Sequence, residues 1–136
     1  MTAYTDASHH LSVRRMTKGS LPDLPFSDIK KEILGTHYEL SLLFPDDTTS
    51  RELHQTWKGL DSPVNVLSFP LDDKSGEIIL TLGQARKEAG KFQRTYHQHV
   101  ACLFIHACSH LAGYDHGHAM DTFEKKIRKK FDLPTD

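Results

Sequence analysis

The sequence has 136 residues, of which 38% are apolar, 26% charged and 9% aromatic, the composition of one globular domain rather than of a fibrous or low-complexity chain. Seventeen Lys plus Arg against eighteen Asp plus Glu leave a net charge of −1, so no global basic field marks a nucleic-acid partner. No apolar run reaches the roughly 18 residues of a membrane span, residues 1–10 lack the basic start and apolar stretch of a secretory signal, and the expected location is cytoplasmic.

His10 to Met16 (HLSVRRM) reads as a strand, and a Pro-rich stretch over residues 21–25 separates it from the rest. Ser27 to Leu34 reads as a helix capped by Ser27, and Tyr38 to Phe44 (YELSLLF) alternates as a strand, giving a β-α-β start. Asp46, Asp47 and Ser50 are N-cap candidates for a helix to about Lys58, with Leu53 and Trp57 on its core face and Gly59 as its stop. Val64 to Leu71 and Glu77 to Leu82 are apolar strands, and the turn residues between them predict a hairpin. Asn65 and Ser68 are expected to be buried and bonded to backbone.

Two helices follow, Gln84 to Phe92 and His97 to Ala112, and a last one runs from Met120 to Phe131. In that last helix Met120, Phe123, Ile127 and Phe131 form one stripe, while Lys125, Lys126, Arg128, Lys129 and Lys130 form a solvated basic face that is also open to RNA. Cys102 and Cys108, six apart on a helix, point to different sides, cannot bridge, and read as small buried residues of a reducing compartment. The expected fold is α+β, a single domain over residues 1–136 with a small mixed sheet packed against about five helices.

Ten histidines are the outlying number, and three of them cluster in His106-Ala-Cys-Ser-His110-Leu-Ala-Gly113-Tyr-Asp-His116. Residues four apart share a helix face, so His106 and His110 can grip one ion from the edge of the apolar stripe made by Val100, Leu103, Phe104, Ala107 and Leu111. Gly113 lets the chain leave the helix through a left-handed turn that returns His116 as third ligand, with His118 as its rival. Three protein ligands leave a fourth position open, the arrangement of a catalytic rather than a structural site. A chain of this size folds without metal staples, which points the same way. The remaining histidines read as surface or partly buried residues, His99 being nearest the same edge.

The spacing is also that of metzincin proteases, His-Glu-x-x-His-x-x-Gly-x-x-His. Here Ala107 stands where the glutamate general base would be, and alanine accepts no proton. Peptide hydrolysis by that route is disfavoured. Phosphodiester cleavage is not, because an ion can bind a nonbridging oxygen and neutralise charge in the transition state.

These residues, together with Trp57-Lys58-Gly59 and Asn65 to Pro70, resemble the YbeY family of bacterial endoribonucleases over Leu53 to His116. All three histidines, Leu111, Gly113, Tyr114 and Asp115 match its signature His-Gly-x-Leu-His-Leu-x-Gly-Tyr-Asp-His. The resemblance implies a zinc-dependent endoribonuclease with one Zn(2+) per chain, held by His106, His110 and His116. It further implies cleavage of single-stranded RNA, maturation of the 3′ end of small-subunit ribosomal RNA, ribosome quality control, and as partners the small subunit, an assembly GTPase and a small-subunit ribosomal protein. Lys58 occupies the position of a family arginine and is the implied catalytic residue. Lysine keeps the charge but loses the planar grip on phosphate. Leu60 and Ser62 stand where lysines are common, which together with Lys58 opens a reading as an RNA-binding assembly factor of weak activity, while the histidine spacing keeps open a metzincin-like metalloprotease.

Overall fold

The computed structural model describes residues 2–135, and side chains over residues 5–135; Met1 and Asp136, the ends of the expected domain, lie outside it. Strands β1 (Thr2–Asp6), β2 (Leu11–Arg15), β3 (Glu39–Phe44), β4 (Val66–Asp72) and β5 (Ser75–Leu80) form one sheet in the order β1-β2-β3-β5-β4. The expected β-α-β start is present: β2 crosses through helix α1 (Phe26–Leu34) to β3, which pairs with it in parallel. β5 adds in parallel to β3 and β4 antiparallel to β5, so the sheet is mixed as expected. The hairpin turn is tighter than the sequence suggests, because Asp72 still pairs with Ser75 and its carboxylate accepts from the Lys74 N–H at 2.8 Å.

At the N-terminal end one strand carries no sequence signal and one expectation needs correction. β1 lacks apolar alternation and is held by its antiparallel ladder to β2, which a periodicity argument does not register. Ser27 does not cap α1. The helix starts one residue earlier, at Phe26, which is buried against Phe44 and Phe104 (centroids 5.9 and 5.0 Å), and the Ser27 hydroxyl donates instead to Asp6 at 2.7 Å. Lys30 on the same helix is fully buried and its ammonium donates to the carbonyls of His9, Gly35 and Thr36 at 2.6–2.8 Å, tying the helix end to the start of β2.

Helix α2 (Asp47–Lys58) is capped as expected, with the Asp46 carboxylate accepting from the Thr49 N–H at 2.8 Å and Gly59 ending it in the left-handed region. Leu53 joins Val64, Leu67 and Ile79 in a small cluster on one face of the sheet. The opposite face carries the main core, where β2, β3 and β5 meet α1, α4 and α5. Helix α3 (Leu82–Ala89) is shorter than expected and passes into a 3₁₀ turn over Gly90–Phe92. Helix α4 (Tyr96–Leu111) opens on a capping box between Thr95 and Gln98, and α5 (His118–Lys130) follows. Cys102 and Cys108 are buried and in no disulfide; burial raises the Cys108 thiol far above its ordinary range, so it stays protonated.

Gly76 of β5 sets how closely the sheet approaches the end of α4. A Cβ there would run into the Tyr38 hydroxyl and approach Leu111 Cδ2 at 3.0 Å. Gly76→Ala is therefore expected to destabilise the fold by about 1–3 kcal/mol, read as a lower urea midpoint at constant slope. Adding Tyr38→Phe removes the obstructing hydroxyl, which is buried and has no hydrogen-bond partner among the described residues, and should restore part of the loss.

Candidate metal centre

Every residue of α4 from His99 to Ser109 is buried except His106. The helix is core almost all round, and its two site histidines lie where burial ends: His106 and His110 are half-buried. The chain then leaves α4 through a Schellman arrangement. The Gly113 N–H bonds the His110 carbonyl at 3.0 Å, the Tyr114 N–H bonds the Ser109 carbonyl at 3.1 Å, and Gly113 takes φ +102°, a conformation that costs glycine nothing. The Tyr114 ring stacks on Phe123 of α5 at 4.5 Å, which anchors the loop and brings back His116.

The three rings converge, with centroids 4.7 Å (His106–His110), 4.8 Å (His110–His116) and 5.4 Å (His106–His116) apart. One nitrogen from each lies within 4.8 Å of the others, so the group can hold a metal ion. His118, the rival ligand, is the exposed first residue of α5 and is outside this group.

What orients two of the rings is visible. His106 Nδ1–H donates to the Glu124 carboxylate at 2.8 Å, and His110 Nδ1–H donates to the Tyr114 carbonyl at 3.0 Å. With the protons on Nδ1, both rings keep their Nε2 lone pairs for an ion, the tautomer that carboxylate and carbonyl partners select in metal sites. Burial, and then neighbouring His106, hold the His110 imidazole below its ordinary value of 6.5, favouring the neutral ring that ligates. The donor set therefore fits a metal.

The centre opens into a cavity of about 820 Å³ between β4, α4 and α5. Lys58, the last residue of α2, lines the same cavity, so the fold joins it to the three histidines across a gap of about fifty residues in sequence. Trp57 is not core: it is 60% exposed, lines the cavity and rests its ring on Phe69 at 5.3 Å. Asn65 and Ser68 are half-buried rather than buried, because both line the cavity: Asn65 Oδ1 accepts from the Val66 N–H at 2.6 Å, the expected backbone bond, and its amide also reaches Glu88 at 3.4 Å.

Sequence reasoning missed several cavity residues. Glu124 is buried, and its position four residues after Met120 on the apolar stripe of α5 was the signal for it. Arg128, assigned to the solvated basic face, is buried and faces the cavity. His99 is fully buried, with Nε2–H donating to Glu88 at 3.2 Å, Nδ1 accepting from Arg94 at 3.2 Å and Phe92 stacked on its ring at 5.1 Å. Glu124→Gln, which keeps shape but weakens the anchor of His106, is expected to lower metal affinity about 10–100-fold with little change in thermal midpoint, measured by competition with a chromophoric chelator.

Comparisons with known proteins give the family and a similar fold. The family model described as endoribonuclease YbeY matches residues 13–132. The protein named endoribonuclease YbeY from Persephonella marina is 35% identical over 103 residues, covering 70% of this chain and 65% of that protein. The one from Sulfurihydrogenibium is 32% identical over 127 residues, covering 88% and 80%. The match thus spans less than two thirds of the Persephonella protein's length. The solution structure of TM1509 from Thermotoga maritima superposes with a TM-score of 0.66 at 26% identity, over 90% of this chain and 91% of that one. With the family model covering the chain from Val13 in β2 through β3, β4, β5 and helices α1 to α5, and the three histidines converging at the end of α4, the chain belongs to the endoribonuclease YbeY family.

Proposed function

We propose that this chain is a zinc-dependent endoribonuclease that cuts single-stranded RNA, with residues 1–136 forming one YbeY-like hydrolase domain. The observation that carries the reading is a three-histidine centre sharing a cavity with a lysine and an exposed aromatic ring. Imidazole donors suit zinc among the available divalent ions, and three of them leave room for substrate. The name shared by the relatives supports an RNA substrate.

His106, His110 and His116 hold one zinc per chain. Bound zinc supplies Lewis acidity toward a phosphoryl oxygen and lowers the pKa of water. Glu124 fixes the His106 tautomer, and the Tyr114 carbonyl does the same for His110. Lys58 sits at the mouth as a point charge for a backbone phosphate, and Trp57 beside it offers a face on which an unpaired base stacks, which favours single strands over duplex. A metzincin-type proteolysis finds no support. Ala107 is buried at the position of the base, and the two glutamates of the cavity are engaged by His99 and His106.

The biological role that fits is maturation of ribosomal RNA, including the 3′ end of the small-subunit RNA, and ribosome quality control in the cytoplasm. The partners are the small ribosomal subunit, an assembly GTPase and a small-subunit ribosomal protein. No helix among the described residues is long and apolar enough to cross a membrane.

The test is cleavage of an end-labelled single-stranded RNA by purified protein with and without zinc, beside His106→Ala prepared identically. Zinc-dependent cutting that falls at least about 100-fold in the variant is expected. A zinc-loaded wild type that binds RNA without cutting it would replace this reading with that of an assembly factor. Lys58→Ala should slow cutting about 10–100-fold and Lys58→Arg should preserve it, measured as single-turnover rates.

A further inference from the structure

Arg128 lies one helical turn after Glu124 on α5, so both face the cavity. It is 7% exposed, and its Nε is buried with no hydrogen-bond partner among the described residues. A buried cation is costly unless an anion meets it. The two carboxylates of the cavity do not serve: Glu124 is taken by His106 at 2.8 Å and Glu88 by His99 at 3.2 Å. Arg94, the other guanidinium there, donates to His99 and lies over the Phe92 ring at 5.2 Å. Lys58, Arg94 and Arg128 thus outnumber the glutamates before any divalent ion is added, and the cavity attracts an anion.

We propose that Arg128 is a phosphate-binding residue of the cavity, gripping a backbone phosphate of the strand next to the three-histidine centre. This rests on the reading of the cavity as an RNA site. A planar guanidinium matches two phosphate oxygens at once, which Lys58 cannot do. The anion is a nucleotide strand rather than a small free anion because the cavity is also lined by two exposed rings, Trp57 at 60% and Phe92 at 51%, and aromatic faces beside cations suit stacked bases. The lysines on the outward face of α5 are a separate feature: Lys125 pairs with Asp121 and Lys130 with Glu32.

The test measures binding of a labelled single-stranded RNA decamer to zinc-loaded protein across a salt series, with strand integrity checked on a gel. Wild type is compared with Arg128→Met and Arg128→Lys, alongside thermal midpoints and zinc content. Arg128→Met should weaken binding at least about tenfold and reduce the slope of log affinity against log salt by about 0.7, the share of one single-strand phosphate. Arg128→Lys should recover part of the affinity. Zinc content should not change, and the Met variant should melt no lower than wild type because it loses an unpaired buried charge. Equal affinity and slope in wild type and Arg128→Met overturns the inference alone. A Met variant that melts lower and sheds zinc makes Arg128 structural and overturns it as well. Zinc-loaded wild type that binds no RNA overturns both the RNA reading and the inference, and inorganic phosphate that displaces the decamer at low millimolar concentration overturns the choice of a strand over a small anion.

Discussion

Helix α4 has to be two things at once. It is the main packing element against β4, β5, α1 and α3, buried from His99 to Ser109 apart from His106, and it also carries two of the three converging imidazoles. These demands are compatible only because 3.6 residues per turn place His106 and His110 together at one margin of the buried face. Everything else at the centre is arranged around that margin. The Schellman turn at Gly113 reverses the chain, the Tyr114–Phe123 stack pins it to α5, and His116 arrives opposite the other two. The close approach permitted by Gly76 sets where the end of α4, at Leu111, rests on the sheet.

The electrostatics of the cavity follow from how its carboxylates are spent. In a partly enclosed site an uncommitted glutamate would serve as a proton acceptor, but Glu124 and Glu88 each take a histidine N–H. One consequence is structural, since His106 is held in the tautomer that offers Nε2. The other is a surplus of positive charge, carried by Lys58, Arg94 and Arg128, which suits a polyanion better than a peptide. Exposed Trp57 and Phe92, which line the same cavity, add aromatic faces to these cations, a combination suited to unpaired nucleotides.

The centre itself was legible in the sequence because its spacing is a helical period followed by a glycine, and both are local. The sheet strands β2 to β5, α2 with its Asp46 cap, and the mixed topology were legible for the same reason. What escaped was decided by tertiary context. β1 exists through its ladder to β2, and Ser27 had a better partner in Asp6 than the helix end it precedes. Trp57 occupies a core-like position of α2 yet opens onto the cavity. Arg128 stands among four lysines, so composition reads it as solvated, although its spacing from Met120 and Glu124 puts it on the buried side.

The central claim is that His106, His110 and His116 form one metal centre to which each contributes a ligand. Native mass spectrometry of the zinc-loaded protein under mild conditions tests it most directly, with His116→Ala as the decisive variant because that histidine lies outside the helix and its loss leaves α4 intact. One zinc per chain in the wild type and none retained by a folded His116→Ala is the predicted result. A folded His116→Ala that retains zinc with wild-type stoichiometry and affinity would contradict the account.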